Sequence, residues 1–292
     1  GIPLALAAMG ETITERSGVI NIGLEGSLIA GALGGALGAL AIGGAGGGIL
    51  VGAFGGALVA MIFAGFAVGL GTDQIITGTA VTLGGLGFTG AIYQARFGTT
   101  GTALTLPTLS SVPIPLLSDI PIIGSALFNQ APTTYFTYLL APTLWYFVYR
   151  TEWGLELRAV GEEPDAAAAA GVRVKQTRFW ATVFGGTLAG IAGAHLALAH
   201  AGTFAENMSA GRGFIAIAVV VLGRWNPPLV LLAALFFGAA SALQFQAQTL
   251  GLAVPYQLFL AFPYLLTLLA LAGWVGKSRA PASLAFPWPK DS

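Results

Sequence analysis

Cysteine is absent from the 292-residue chain, which excludes disulfides, thiolate catalysis and zinc-thiolate sites at once. Charge is scarce: 8% of the residues are Asp, Glu, Lys or Arg, against about 25% in a soluble domain. A surface facing water cannot be built from so little charge, so a soluble globular protein is excluded. Acids and bases balance to a formal net charge of zero, so no nucleic-acid footprint is expected and the basic residues matter by position. Only two histidines are present, His195 and His200. Five positions apart and without a carboxylate in their span, they fit packing or an interfacial hydrogen bond better than a metal site. A phosphate loop is missing too. Gly276-Lys277-Ser278 is its nearest likeness, but Leu271 stands where the motif needs glycine and the preceding stretch is a membrane span. The chain starts at Gly1 without a Lys/Arg-led leader, which reads as a processed or truncated start rather than a signal peptide.

What is abundant is apolar: 55% of the residues are hydrophobic, and 43 are glycine. In a bilayer every backbone polar group must be satisfied within the protein, so apolar runs of about 20 residues should be helices crossing a core of about 30 Å. That window gives spans at 24–44, 48–70, 74–95, 133–150, 179–201, 208–223, 228–248 and 255–274, with residues 1–9 as the tail of another. Period-two alternation, the mark of a membrane barrel, is absent. The expected fold is all-α: one polytopic transmembrane bundle over 1–292 with about eight or nine spans.

Orientation follows from Lys and Arg, which loops on the cytoplasmic side retain. The loop 150–178 carries Arg150, Arg158, Arg173, Lys175 and Arg178; the tail 275–292 carries Lys277, Arg279 and Lys290. Four spans separate the two, so both can be cytoplasmic, with Arg16 and Arg224 on the same side and Arg96 and Arg212 outside. The segment 97–132 cannot be one helix, because Pro107, Pro113, Pro115, Pro121 and Pro132 interrupt it. It reads as an extracytoplasmic loop. Glycines recur at four-residue steps, as in Gly31/Gly35, Gly34/Gly38, Gly52/Gly56, Gly65/Gly69 and Gly186/Gly190, a spacing that brings helix backbones close where lipid gives no hydrophobic drive.

Three stretches carry more polarity than a span needs. Glu15-Arg16-Ser17-Gly18-Val19-Ile20-Asn21-Ile22-Gly23-Leu24-Glu25-Gly26 opens a span, and on a helix Asn21 and Glu25 share a face. It fits the lining of a transport path or gate, and equally an interfacial turn with a carboxylate at a helix start. The second runs from Gly154 to Lys175. Pro164 suits a first helical turn, Asp165 the positive end, Ala166 to Ala170 the helix body, and Gly171 the stop. A helix of two turns is marginal alone, so it docks either on a partner or on its own bundle. The third, Phe204 to Phe214 and on through Gly223-Arg224-Trp225-Asn226-Pro227-Pro228, is a Gly-rich break beside a span. It either lines a cavity or forms an ordinary loop with a Glu206–Arg212 charge pair.

Together and in this order these stretches resemble the permease subunits of ATP-binding cassette importers for nucleosides, in the wider group with simple-sugar and branched-chain amino acid permeases. The motifs are Glu15 to Gly26; Leu157-Arg158-Ala159-Val160-Gly161-Glu162-Glu163-Pro164 through Ala170-Gly171; Gly211-Arg212-Gly213-Phe214-Ile215-Ala216; Gly223-Arg224-Trp225; and Phe262-Pro263-Tyr264. They extend over nearly the whole chain, and Glu163 stands where the family often has Asn. The resemblance implies a multi-pass subunit of the bacterial cytoplasmic (inner) membrane without ATPase activity or cofactor of its own, ATP and magnesium being held by a partner. It implies a second, paralogous permease, a cytoplasmic ATP-binding subunit and an extracytoplasmic solute-binding lipoprotein. It assigns coupling to that ATPase to Arg158, Gly161, Glu162, Glu163, Pro164, Asp165, Ala168 and Gly171. The solute is expected to be small, polar, uncharged and flat. Asn21, Glu25, Gln74, Gln94 and Asn207 are nominated for its path on polarity and depth alone. A simple-sugar or branched-chain amino acid cargo is the alternative. An ion-coupled secondary transporter is a further one, which would need buried acids within the spans.

Overall fold

The computed structural model describes residues 1–98, 104–120, 123–249, 265 and 280–288. The expected span 255–274, with its Phe262-Pro263-Tyr264 motif, lies outside the described residues except for Leu265, as do Lys277, Arg279 and Lys290. The described chain is helical: α1 Ile2–Arg16, α2 Leu24–Ile42, α3 Ala45–Ala64, α4 Gln74–Phe97, α5 Ile123–Phe128, α6 Pro132–Arg150, α7 Glu152–Glu162, α8 Pro164–Ala169, α9 Val174–His195, α10 Arg212–Leu222 and α11 Pro227–Thr249. Wider π turns extend α3 through Gly65–Gly69 and α9 through Leu196–Ala201. Among the described residues five helices are long and apolar enough to cross a bilayer: Leu24–Ile42, Ala45–Gly69, Gln74–Phe97, Val174–Ala201 and Pro227–Gln244.

The residues that pack α3 show why the bundle holds in lipid. Gly48, Gly52, Gly56 and Ala60 are buried, whereas Leu50, Phe54, Leu58, Ile62 and Phe66 are exposed. Small residues face protein and large apolar ones face outward, the reverse of a soluble helix and the arrangement expected where lipid solvates the outside. The buried ridge meets α2 and α9. A methyl at Gly52 would stand 2.6 Å from Ala194 Cβ and 2.7 Å from Gly31 O, and one at Gly190 would run into the α3 backbone at Gly52 and Gly56. The steps Gly31/Gly35, Gly52/Gly56 and Gly186/Gly190 thus join helices within this chain. Gly65/Gly69 does not: a methyl at Gly65 meets nothing within 4 Å.

Two expectations are corrected, and the helical tail expected at residues 1–9 proves longer. Those residues belong to α1, which continues to Arg16 and is buried at every position from Pro3 to Glu15, packed on α9, α10 and α11. Glu15 and Arg16 therefore close a helix and do not open one. The span expected at 208–223 shortens to α10, whose 11 residues rise only about 16 Å and fall well short of the bilayer core. The described part of the Pro-rich segment 97–132 forms no long helix, as expected. It holds the short α5 and an antiparallel pairing of β1 (Val112–Pro113) with β2 (Asn129–Gln130). Leu106 and Leu109 donate their N–H groups to Gly202 O and Leu198 O, laying the segment on the far end of α9.

Candidate functional site: a polar core at two helix breaks and an elbow beside it

Between α1 and α2 the chain leaves the helix for residues 17–23 while staying inside the bundle. Backbone that cannot pair within a helix must find other partners here. Ile20 N–H donates to Gln74 Oε1 at 2.8 Å, Asn21 N–H to Glu11 Oε1 at 2.8 Å, and Ile22 O accepts from Thr82 Oγ1 at 3.0 Å. Gly18, at φ +90°, makes the turn. The second break, 202–211, precedes α10 and carries Asn207 and Ala210 at φ +56° and +48°. Glu25, in the first turn of α2, joins the two breaks. Its carboxylate accepts from Gly211 N–H at 2.7 Å and Gly213 N–H at 2.5 Å, closing the N-terminus of α10 with negative charge where the helix dipole favours it.

A third irregular stretch, 223–226, joins α10 to α11 with Arg224 and Trp225 both at positive φ, a conformation that costs non-glycine residues and persists only when its surroundings impose it. Here α1 imposes it. Trp225 Nε1–H donates to Glu15 Oε2, and Arg16 Nε donates to Trp225 O at 3.1 Å. Among the described residues seven buried side-chain atoms have no hydrogen-bond partner: Glu11 Oε2, Glu15 Oε1, both ends of the Asn21 amide, Ser27 Oγ, Ser209 Oγ and Asn226 Oδ1. Six of them lie in the breaks or in the helix turns beside them, and Glu11, further back on α1, bonds the first break through Asn21 N–H. The bundle thus holds a core of hydrogen-bonding groups whose capacity its own fold leaves unused. Among the described residues no group of three or more His, Cys, Asp or Glu gathers to hold a metal.

The nominated path residues separate. Asn21 and Glu25 do not share a helix face, because α2 begins only at Leu24: Asn21 stands in the break and Glu25 in the first turn of α2. Asn21 is wholly buried, and Gln74, 3% exposed, holds the break through Ile20. Gln94 reaches the second break instead, donating to Glu206 Oε1 at 2.9 Å, and Asn207 is exposed in that break. Glu206 and Arg212 form no charge pair, since Arg212 Nη1 instead bonds the carbonyls of Met208 and Ser209. His195 packs as expected, sharing a hydrogen bond with Thr133 Oγ1 at 2.5 Å. Glu11 went unnoticed in the sequence, hidden in a helix taken for a tail.

The elbow is α7 and α8. Pro164 begins α8, Asp165 occupies its first turn, and Gly171 follows at φ +91°, as the sequence led us to expect. Thr151 Oγ1 caps α7 by accepting from Gly154 N–H at 3.1 Å. Gly161 rests so closely on Arg16 O that no side chain fits. Arg158 stacks on the Tyr149 ring at 5.4 Å, and the Tyr149 hydroxyl accepts from Arg16 Nη2 at 2.8 Å, so the elbow meets the end of α1 directly through Gly161 and again by way of Tyr149 on α6. Glu162, Glu163, Asp165, Ala166, Ala169 and Ala170 face outward, while Pro164 and Ala167 are buried and Ala168 is half-buried against the cluster of Val160, Ala167 and Val174.

Apolar side chains turned outward, glycine ridges turned inward and polar groups gathered at interior helix breaks define a multi-pass helical membrane protein. Comparison with known families gives its place: residues 1–271 match the family described as the permease component of branched-chain amino acid transport systems, and the chain belongs to that family. It is 36% identical to the guanosine ABC transporter permease NupQ of Bacillus subtilis, over 99% of this chain and 93% of that one. It is 34% identical to the nucleoside ABC transporter permease NupC of Lactococcus lactis, over 96% and 90%. A Haloferax volcanii protein, TsgC13, named provisionally as a glucose ABC transporter permease, is 36% identical over 86% of this chain and 76% of its own length. No solved structure matches the chain.

Proposed function

We propose that the chain is one permease subunit of an ATP-driven importer that carries nucleosides across the bacterial cytoplasmic membrane, with eight or nine spans. The observation that carries this is the nearly end-to-end match to NupQ and NupC, whose names specify guanosine and nucleosides. A related permease is the proposed partner. Parts of the chain also match NupB and NupP, two further permeases from the organisms that hold NupC and NupQ, at 37% and 36% identity. A lipoprotein outside delivers the solute. A cytoplasmic ATPase, holding ATP and magnesium, grips the outward face of the elbow at Glu162, Glu163, Asp165, Ala166 and Ala169. Arg158, Gly161, Pro164, Ala168 and Gly171 shape that elbow from behind.

The geometry supports a route for the motion. ATP binding moves the elbow, the Gly161–Arg16 and Arg158–Tyr149–Arg16 contacts carry the displacement to the end of α1, and the break 17–23 and the Trp225 turn shift with it. Reversing a two-state element from 1:99 to 99:1 takes about 5.5 kcal/mol, supplied by nucleotide on the partner. Asn21 is the path residue this reading favours, because its buried amide is unspent; Glu25 and Gln74 are engaged in holding the breaks. A flat, uncharged solute suits hydrogen-bonding groups set among apolar walls.

Labelled adenosine uptake in vesicles, with excess guanosine, ribose, glucose or leucine as competitor, tests the cargo. Competition by guanosine alone is the expected result; competition by glucose alone would make the Haloferax relative the better guide. The buried acids Glu11 and Glu15 are of the kind an ion-coupled carrier needs. Uptake on a proton or sodium gradient with no ATPase subunit present would favour that second reading.

A further inference from the structure

We infer that residues 281–288 are a strap that makes the elbow move as one body with the first helix break, with Ser283, Trp288 and Arg178 as its positioning residues. The inference rests on the function proposed above. A helix as short as α8 has little stability of its own, and the strap crosses both halves of the elbow. Ser283 N–H donates to Gly161 O at 2.9 Å, and its hydroxyl lies 2.7 Å from Gly161 O and 3.2 Å from Val160 O. Ala282 N–H donates to Glu162 Oε2 at 3.3 Å. Five residues on, Trp288 Nε1–H donates to Asp165 Oδ1 at 2.7 Å while its ring packs beside Val160, Ala167 and Val174.

The same strap is anchored on the other side. Ala285 N–H donates to Gly18 O at 3.1 Å. Arg178, on α9 and 2% exposed, gives Nε to Ser17 O at 3.1 Å, Nη1 to Phe286 O at 2.9 Å and Nη2 to Ser283 Oγ at 3.0 Å. One buried guanidinium thereby ties the strap, α9 and the break to each other, each of its three nitrogens donating to a fixed acceptor. Without the strap the elbow would keep its direct contacts with Arg16 and Tyr149, and a push on it would be taken up by local bending before it reached Asn21.

The test uses the reconstituted importer, complete with ATPase, second permease and binding protein, and reads solute imported per ATP hydrolysed. One variant ends after Ala280. The others are Trp288→Phe, which keeps the ring and removes its N–H, and Ser283→Ala. We expect the shortened chain to assemble and hydrolyse ATP with import per ATP down about tenfold, within the range of one coupling free energy. Trp288→Phe should lower it about threefold, the worth of one net hydrogen bond. Unchanged import per ATP in assembled complexes overturns the proposal. If the shortened chain fails to assemble, the two point variants decide: a normal ratio in both makes the strap a folding element only. Absence of ATP-driven uptake by the unmodified complex would instead overturn the proposed function.

Discussion

Glu25→Gln separates two roles for the most constrained acid in the bundle. The carboxylate accepts from Gly211 and Gly213 N–H at the start of α10 and is 2% exposed. Glutamine keeps the shape and one acceptor oxygen, but its amide donors then face one of the two N–H groups. Losing that bond and leaving a buried donor unmade costs about 1–3 kcal/mol. Removing negative charge from the helix N-terminus adds about 0.3–1 kcal/mol, little screened at this burial. The sum, roughly 1–4 kcal/mol, should appear as a drop in the thermal unfolding midpoint of the purified complex in detergent. Glu25→Asp keeps the charge on a stem one methylene shorter and should fall between. An unchanged midpoint with a raised KM for uptake would refute the reasoning and make Glu25 a solute contact.

Three further outcomes follow from the same geometry. Asn21→Leu removes an amide that makes no side-chain hydrogen bond, so stability should hold or rise while uptake falls; unchanged uptake would take Asn21 off the path. Gly190→Ala drives a methyl into the α3 backbone and should cost about 1–3 kcal/mol by overpacking. Gly65→Ala, in open space, should cost almost nothing, and equal midpoints for the two would contradict the three-helix contact. Ala169→Asp, on the outward face of α8, should abolish co-purification of the ATPase and leave the bundle folded. Ala168→Asp should instead lower the unfolding midpoint, because Ala168 packs against the buried cluster of Val160, Ala167 and Val174.

Much of the fold was legible because it depends on local signals. Pro164, the alanine run and Gly171 mark α8 by chemistry within a few positions, and apolar length marks α2, α3, α4, α9 and α11. The four-residue glycine spacing read as helix packing, and Gly52/Gly56 and Gly186/Gly190 meet as such. The breaks were harder. Val19, Ile20 and Ile22 look like more of a span, and the Asn21–Glu25 spacing suggests one helix face. The helix stops there because Glu11 and Gln74, 10 and 54 positions away, take up the freed N–H groups. No window along the chain contains that information. Glu25 was noticed as polar, yet its partners lie 186 and 188 positions away. Ser283 and Trp288 carried no signal, since a tail becomes a strap only once the elbow is beside it. In the sequence Arg178 reads as one of several orienting charges, and only its three acceptors, Ser17 O, Phe286 O and Ser283 Oγ, show that it is a tie.

The lack of native cysteine makes single-cysteine cross-linking the most direct test of how the chain is driven. In the assembled importer, a short thiol-to-amine reagent placed at Ala169→Cys on the elbow should link the chain to the ATPase subunit. The same reagent at Leu50→Cys, 72% exposed on the lipid-facing ridge of α3, should leave the ATPase free. ATPase linked through position 50 and absent from position 169 would contradict the account.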